Sequence, residues 1–249
     1  MKEYKEYTEF IGKEIAKALE ESWLILPVGS VEQHGINLAL SVDIDITREI
    51  AKELCRNKDC ILAPEIVYGV RSYPNSGGGQ KFNGNVYLDG CHFIEMISDI
   101  VSCYIRNGAD KILILNGHFE NYMFLCEAVE RISCSQNVQI VILNWWDVLA
   151  QGTVKKLTQN RFQSWEVEHA GIVETALEQY LYPLRVQGIE YEEVIATHNI
   201  YCTGVNSVCS QTGALSSNIG ATSKMGKRLF QEIVTGIATV MENKEGGVE

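Results

Sequence analysis

Two short strings in this 249-residue chain carry side chains that could act together. The first is Glu32-Gln33-His34, with Asp43 nine residues beyond it, and the second is Asn116-Gly117-His118-Phe119-Glu120-Asn121. An extended chain points every second side chain the same way, so Glu32 and His34 can converge on one ion, and so can His118 and Glu120. Two imidazoles and three carboxylates offer mixed nitrogen and oxygen ligands without a thiolate, which suits Zn²⁺ or Mn²⁺ better than copper or an iron–sulfur cluster. Five ligands exceed what one ion needs when positions stay open for water and substrate. They are about right for two ions sharing a carboxylate, and Asp43, between the strings, is the candidate bridge. Such a pair lowers the pKa of a shared water and polarises a carbonyl, so the chemistry implied is hydrolysis of an amide-like bond.

One acid-x-imidazole pair is common in soluble proteins. Here both strings follow an apolar run, Trp23-Leu24-Ile25-Leu26-Pro27-Val28 and Lys111-Ile112-Leu113-Ile114-Leu115, where open α/β sheets place their ligands. His92 and His198 have no ligand spacing around them and are read as helix-face and loop residues. The elements that must position the strings read as an alternating series. A helix opens at about residue 8, with Phe10, Ile11, Ile15 and Leu19 at helical spacing, and strand 23–28 follows. Next come a helix over 46–56, strand 60–67, a glycine-rich loop over 76–85 and a helix over 88–107 closed by Gly108. Strand 111–115, helix 120–134 and strand 138–144 complete the series. Segment 145–165, with Trp145, Trp146 and Trp165, lacks periodicity and reads as a flap or pocket wall. Helices over 171–181 and 221–241 close the chain. The alternation predicts an α/β fold: one domain over 1–249, with a mainly parallel sheet covered by helices on both faces.

Composition sets limits on partners and setting. With 46% hydrophobic residues and no linker-like stretch, the chain can bury one sizeable core. A formal charge of −11 argues against a nucleic-acid partner, which needs a basic face. The apolar runs are too short to span a bilayer, so no membrane segment is expected. The eight cysteines show no C-x-x-C pairing and fall mostly within apolar patterns, and Met1-Lys2-Glu3-Tyr4 does not open a signal peptide. Reduced, buried thiols in a cytoplasmic protein are the expectation. The run Gly77-Gly78-Gly79 lacks the spacing of a phosphate loop and fits a turn close to a small substrate, with Ser76 as a donor.

These residues resemble the creatininase (creatinine amidohydrolase) family. The first signature is Leu26-Pro27-Val28-Gly29-Ser30-Val31-Glu32-Gln33-His34-Gly35 with Asp43 following, and the second is Asn116 to Asn121. A third string, Glu168-His169-Ala170-Gly171-Ile172-Val173-Glu174-Thr175, and the tail Gly213-Ala214-Leu215 to Gly226-Lys227 extend the resemblance over nearly the whole chain. Phe119-Glu120 after His118, in place of two glycines, is similar to the creatininase branch. The resemblance implies a small amide substrate such as creatinine, opened to creatine. It implies that Glu32, Asp43 and His118 hold one divalent ion (Zn or Mn) and that His34, Asp43 and Glu120 hold a second. It makes His169 the proton donor and acceptor, supported by Glu174. It also implies substrate contacts from Ser76, Gly117, Phe119, Trp146 and Trp165, with Trp145 competing with Trp146, and a homo-oligomer of hexameric, ring-like form. This chain departs from the family's usual pattern at Ile36-Asn37, where Pro-His is usual, and at Phe119, where the branch carries a tyrosine whose hydroxyl could touch substrate.

Overall fold

The computed structural model describes residues 4–73, 81–133, 138–193 and 210–245. Ser76, the glycines 77–79, His198 and Cys134, Cys202 and Cys209 lie outside these described residues. The chain gathers into two compact units. The first comprises Met1–Ser30, Thr47–Arg71 and Val86–Trp145, and the second Val31–Ile46, Ser72–Asn85 and Trp146–Glu249. Because the units interleave along the sequence, no composition shift marks a boundary between them.

The first unit is built on five parallel strands: β1 (Lys5–Glu6), β2 (Trp23–Val28), β3 (Cys60–Leu62), β4 (Lys111–Asn116) and β5 (Gln139–Asn144), in the order β1-β3-β2-β4-β5. Every residue of β2 is buried, as expected of a parallel strand covered on both faces. On one face Leu24, Leu26, Val28, Ile112 and Ile114 pack with Ile15 and Leu19 of α1 (Gly12–Glu21). Phe93, Ile97 and Val101 of α3 (Gly90–Arg106) and Leu125, Ala128 and Ile132 of α4 (Asn121–Ser133) complete that layer. The alternate residues Ile25, Leu113 and Leu115 face the other way and are also fully buried. Helix α2 (Val42–Asn57) buries Ile50, Ala51 and Leu54.

The second unit is helical, with α5 (Gln151–Leu157), α6 (Ile172–Leu181) and α7 (Ser223–Glu245). Leu229, Ile233, Ile237 and Met241 recur along α7 at helical spacing and are buried. A Cβ on Gly226 would collide with the Ala176 carbonyl, so glycine sets the close approach of α7 to α6.

Among the described residues, five parallel strands and seven α-helices bear out the α/β expectation. Several boundaries differ and two elements are not among those expected; the opening helix starts at Gly12 rather than residue 8, after a 3-10 turn over Tyr7–Glu9. The strand expected over 60–67 ends at Leu62, because Pro64 has no N–H for the ladder; pairing survives only as an isolated bridge from Ile66 to Val28. Helix α2 starts at Val42 rather than residue 46, since Ser41 Oγ donates to Asp45 Oδ2 (2.6 Å) and two aspartates favour a first turn. Strand β1 is too short to leave a periodic signal. Helix α5 lies inside the segment read as a flap, where seven residues give too little periodicity to see.

The sheet order explains where the two strings begin. After β2 the chain adds β3 on one side and β4 on the other, so the direction of winding reverses between β2 and β4. Carboxyl ends at such a reversal open the crevice in which α/β sheets bind ligands. The first string leaves β2 at Gly29, whose N–H donates to the Ile66 carbonyl (3.0 Å), and the second leaves β4 at Gly117, whose N–H donates to Val28 (2.8 Å).

Candidate metal centre and its surroundings

In the second unit the first string folds back on itself, with the Glu32 N–H donating to the Leu40 carbonyl at 3.1 Å. Gly35 makes the turn at φ +66°, a conformation other residues adopt only under strain. Glu32, His34 and Asp43 are each at most 3% exposed. His34 Nδ1 donates to the Glu32 carbonyl (3.0 Å), which leaves Nε2 as the lone-pair nitrogen of the neutral ring. Nε2 makes no well-aligned hydrogen bond and faces Asp43 Oδ1 at 3.2 Å and Glu174 Oε2 at 3.8 Å. A lone pair opposed by two buried carboxylates requires a positive charge between them. Burial alone would lower the pKa of His34, but Asp43, then Glu174 and Glu32, outweigh it and push it up to about 10. A divalent ion answers the same demand. Donor atoms of His34, Asp43 and Glu174 lie within 4.8 Å of one another, as do those of Glu32, His34 and His169. The anchored Nδ1–H, the buried, unbonded lone pair and the oxygen partners fit a zinc- or manganese-type site.

Two buried glutamates close the start of α6 around His169. Glu168 Oε1 accepts the Val173 N–H (2.5 Å) and Glu174 Oε2 accepts the Ala170 N–H (2.6 Å), so each satisfies a donor at or beside the helix N-terminus. Ala170 sits at φ +57°, and Tyr191 Oη donates to its carbonyl. Burial, followed by the charge of Glu174, pushes Glu168 up to about 8, and burial likewise raises Glu174 to about 8, with His34 opposing. A folded state that holds a proton more tightly than the unfolded chain is stabilised at low pH. That contribution is complete below the unfolded value and is lost as pH rises through about 8. In metal-free protein Glu168→Gln keeps an acceptor for Val173 and removes the ionisation. Its melting temperature should exceed that of the native chain at about pH 9, by roughly 2–4 °C per kcal/mol relieved, with the gap closing at about pH 5. Thermal melts at both pH values decide it, and an equal gap at both would contradict the assignment.

In the first unit the turn that presents His118 is held by asparagines. Asn116 Nδ2 donates to the His118 carbonyl (2.6 Å) and to Asn144 Oδ1 (2.8 Å), and Asn116 Oδ1 accepts the His118 N–H (3.2 Å). Asn121 bridges the Gly29 carbonyl (3.0 Å) and the Val70 N–H (2.9 Å). His118 Nε2 donates to the Val70 carbonyl (3.0 Å), which makes Nδ1 the nitrogen with the lone pair. Glu120 Oε2 lies 3.4 Å from His118 Nε2, and both side chains are buried. The N–H of Gly117 is already used by Val28, and Phe119 is 52% exposed.

Trp146 stacks with Trp165 at a centroid distance of 6.4 Å and an interplanar angle of 28°, and Phe162 leans on Trp165 at 4.6 Å. Trp145 is 1% exposed, with its backbone N–H donating to the Asn116 carbonyl (3.1 Å), and it is Trp146 that pairs with Trp165. Asn37, at one of the two positions where the chain departs from the usual Pro-His, holds residues 187–189: its carbonyl accepts the Gln187 N–H and its Oδ1 the Ile189 N–H, both at 2.9 Å. The thiols differ from the expectation of burial. Cys55 and Cys60 are buried, but Cys91 and Cys103 are exposed because they fall on the outer face of α3. Sequence reasoning missed Gln33, Asn116, Asn121, Glu168 and Tyr191. For the first four the available signal was a polar residue directly beside a site residue or strand end, where a buried polar group must be satisfied; Tyr191 carried no such signal.

The profile of the creatininase family, described as creatinine amidohydrolase, matches residues 9–241. The chain belongs to this family. It is 34% identical over 167 residues to a creatinine amidohydrolase of Pseudomonas putida, an alignment covering 64% of each chain, so it spans about two thirds of that relative. A mycofactocin precursor peptide peptidase of Mycobacterium tuberculosis is 25% identical over 230 residues, 85% of this chain and 81% of the relative. Among solved structures, a creatinine amidohydrolase (creatininase) superposes with a TM-score of 0.90 at 27% identity, covering 98% of this chain and 99% of the other. Similar creatininase structures are named as Zn–Zn and Mn forms. Within the described residues of this creatininase-family chain, no helix is long and apolar enough to cross a membrane.

Proposed function

We propose that this chain is a metal-dependent amidohydrolase that opens a small cyclic amide, with creatinine as substrate and creatine as product. The observation that carries the reading is the buried His34–Asp43–Glu174 arrangement, whose charges call for a cation at His34 Nε2. In this proposal Glu32, Asp43 and His118 hold one divalent ion, and His34, Asp43 and Glu120 hold the other, with Asp43 shared. Bound zinc or manganese supplies an activated water near neutral pH and a Lewis acid for the carbonyl. His169 carries the proton to the departing ring nitrogen. Glu174, through its bond to the Ala170 N–H, holds the turn on which His169 sits. Trp146 and Trp165, stacked already, close over the planar ring and exclude water from it. Ser76, Gly117 and Phe119 complete the proposed substrate contacts. A cytoplasmic setting and a homo-oligomeric, hexameric state belong to the same proposal.

A second reading, a related amide or peptide substrate, is favoured by Phe119, which lacks the hydroxyl of the creatininase branch. A site built around such a hydroxyl leaves its partners unpaired without it, and so discriminates differently. The test is creatine formation from creatinine by protein reconstituted with Mn²⁺ and Zn²⁺. Turnover that disappears in Glu120→Gln supports both the substrate and the metal role. Two ions bound with no turnover moves the substrate to another amide.

A further inference from the structure

We infer that Gln33 is a positioning residue that fixes both the ring plane and the tautomer of His169. Gln33 is 5% exposed, and its side-chain amide is held at both ends by backbone. Its Oε1 accepts the Gly35 N–H at 2.9 Å, and its Nε2 donates to the Gly213 carbonyl at 3.0 Å. Turning the amide over would set oxygen against the Gly213 carbonyl and nitrogen against the Gly35 N–H, losing both bonds, so the orientation is decided by its partners. Gln33 Nε2 also lies 3.1 Å from His169 Nε2. An amide nitrogen can only donate, so His169 Nε2 must accept, and the proton of the neutral ring resides on Nδ1.

The rest of the setting is built to keep this contact. Gly213 adopts φ +89°, and a Cβ there would collide with Gln33 Oε1. The Gly213 N–H donates to Ser210 Oγ (3.0 Å), and the Leu215 N–H donates to the His169 carbonyl (3.0 Å). One loop therefore anchors both the amide of Gln33 and the backbone of His169. The His169 ring lies 4.4 Å from the His34 ring, so a rotation of His169 would be felt at the ligand cluster. Gln33 stands between two expected ligands in sequence, yet its own side chain serves the proton carrier.

This role rests on the reading of His169 as the residue that carries the proton, and the test separates the two. Zinc-loaded protein, diamagnetic and labelled with ¹⁵N at histidine, reports each tautomer through two-bond ¹⁵N–¹H correlations, with His169 assigned by its loss in His169→Asn. The native chain should show His169 protonated on Nδ1. Gln33→Glu replaces the donor with an acceptor and should move the proton to Nε2. Gln33→Met, similar in shape and without the amide, should abolish the preference. In Gln33→Met kcat should fall about tenfold or more, with KM and metal content nearly unchanged. A native His169 protonated or ion-bound at Nε2, or one tautomer common to the native chain and Gln33→Glu, would overturn the inference. If the tautomers behave as expected but His169→Asn hydrolyses substrate at the native rate, the proton-carrier reading fails and the assignment of Gln33 stands.

Discussion

Asp43→Asn should leave the chain folded but unable to hold its ions, with turnover reduced by at least about 10³-fold. The floor comes from electrostatic catalysis, in which one contact to developing charge already accounts for about 10²–10³. Asp43 is proposed to serve both ions, so its loss removes more than one such contact. Asp43 lies in the first turn of α2, 3% exposed, with Oδ1 3.2 Å from His34 Nε2. Asparagine keeps the shape and removes the charge that, against the opposing effect of burial, does most to draw a cation to His34. Removing one member of a buried pair costs about 3–5 kcal/mol, so circular dichroism and a thermal melt must accompany metal analysis. Retention of two ions per chain with normal turnover would eliminate Asp43 as the shared ligand.

His169→Ala should have the opposite signature: metal content intact and kcat lower by about 10²–10⁴-fold, the usual share of positioned acid–base help. The backbone around the site should survive, because the bonds that hold the turn do not use the imidazole. Glu174 binds the Ala170 N–H, Tyr191 the Ala170 carbonyl, and the Leu215 N–H the His169 carbonyl. Metal analysis beside steady-state kinetics separates the cases. If the ions leave with the imidazole, His169 is a ligand, consistent with donor atoms of Glu32, His34 and His169 lying within 4.8 Å of one another.

The residue types that can bind and activate were legible in the sequence because metal chemistry demands particular atoms at short spacings. Glu32, His34 and Asp43 stand out on that ground alone, and the structure buries all three. The central strands were equally legible, since a parallel strand covered on both faces must be continuously apolar, as β2 and β4 are. Less legible was whatever depended on one group meeting another far along the chain. The choice between Trp145 and Trp146 is one example: neighbours in sequence, they diverge because one continues from the end of β5 toward Asn116 and the other stacks on Trp165.

By itself the sequence determined the chemistry available to this protein: a nitrogen–oxygen ligand set, an alternating α/β framework, and two strings that start where strands end. Only the tertiary structure decided protonation and support. It placed Glu174 beside His34, turned His34 so that Nδ1 is anchored and Nε2 faces carboxylates, and brought Gln33 to His169 across 136 positions of chain. The physical reason is that ligand identity is a property of single residues, whereas pKa, tautomer and hydrogen-bond direction are properties of distances between residues, which folding alone sets.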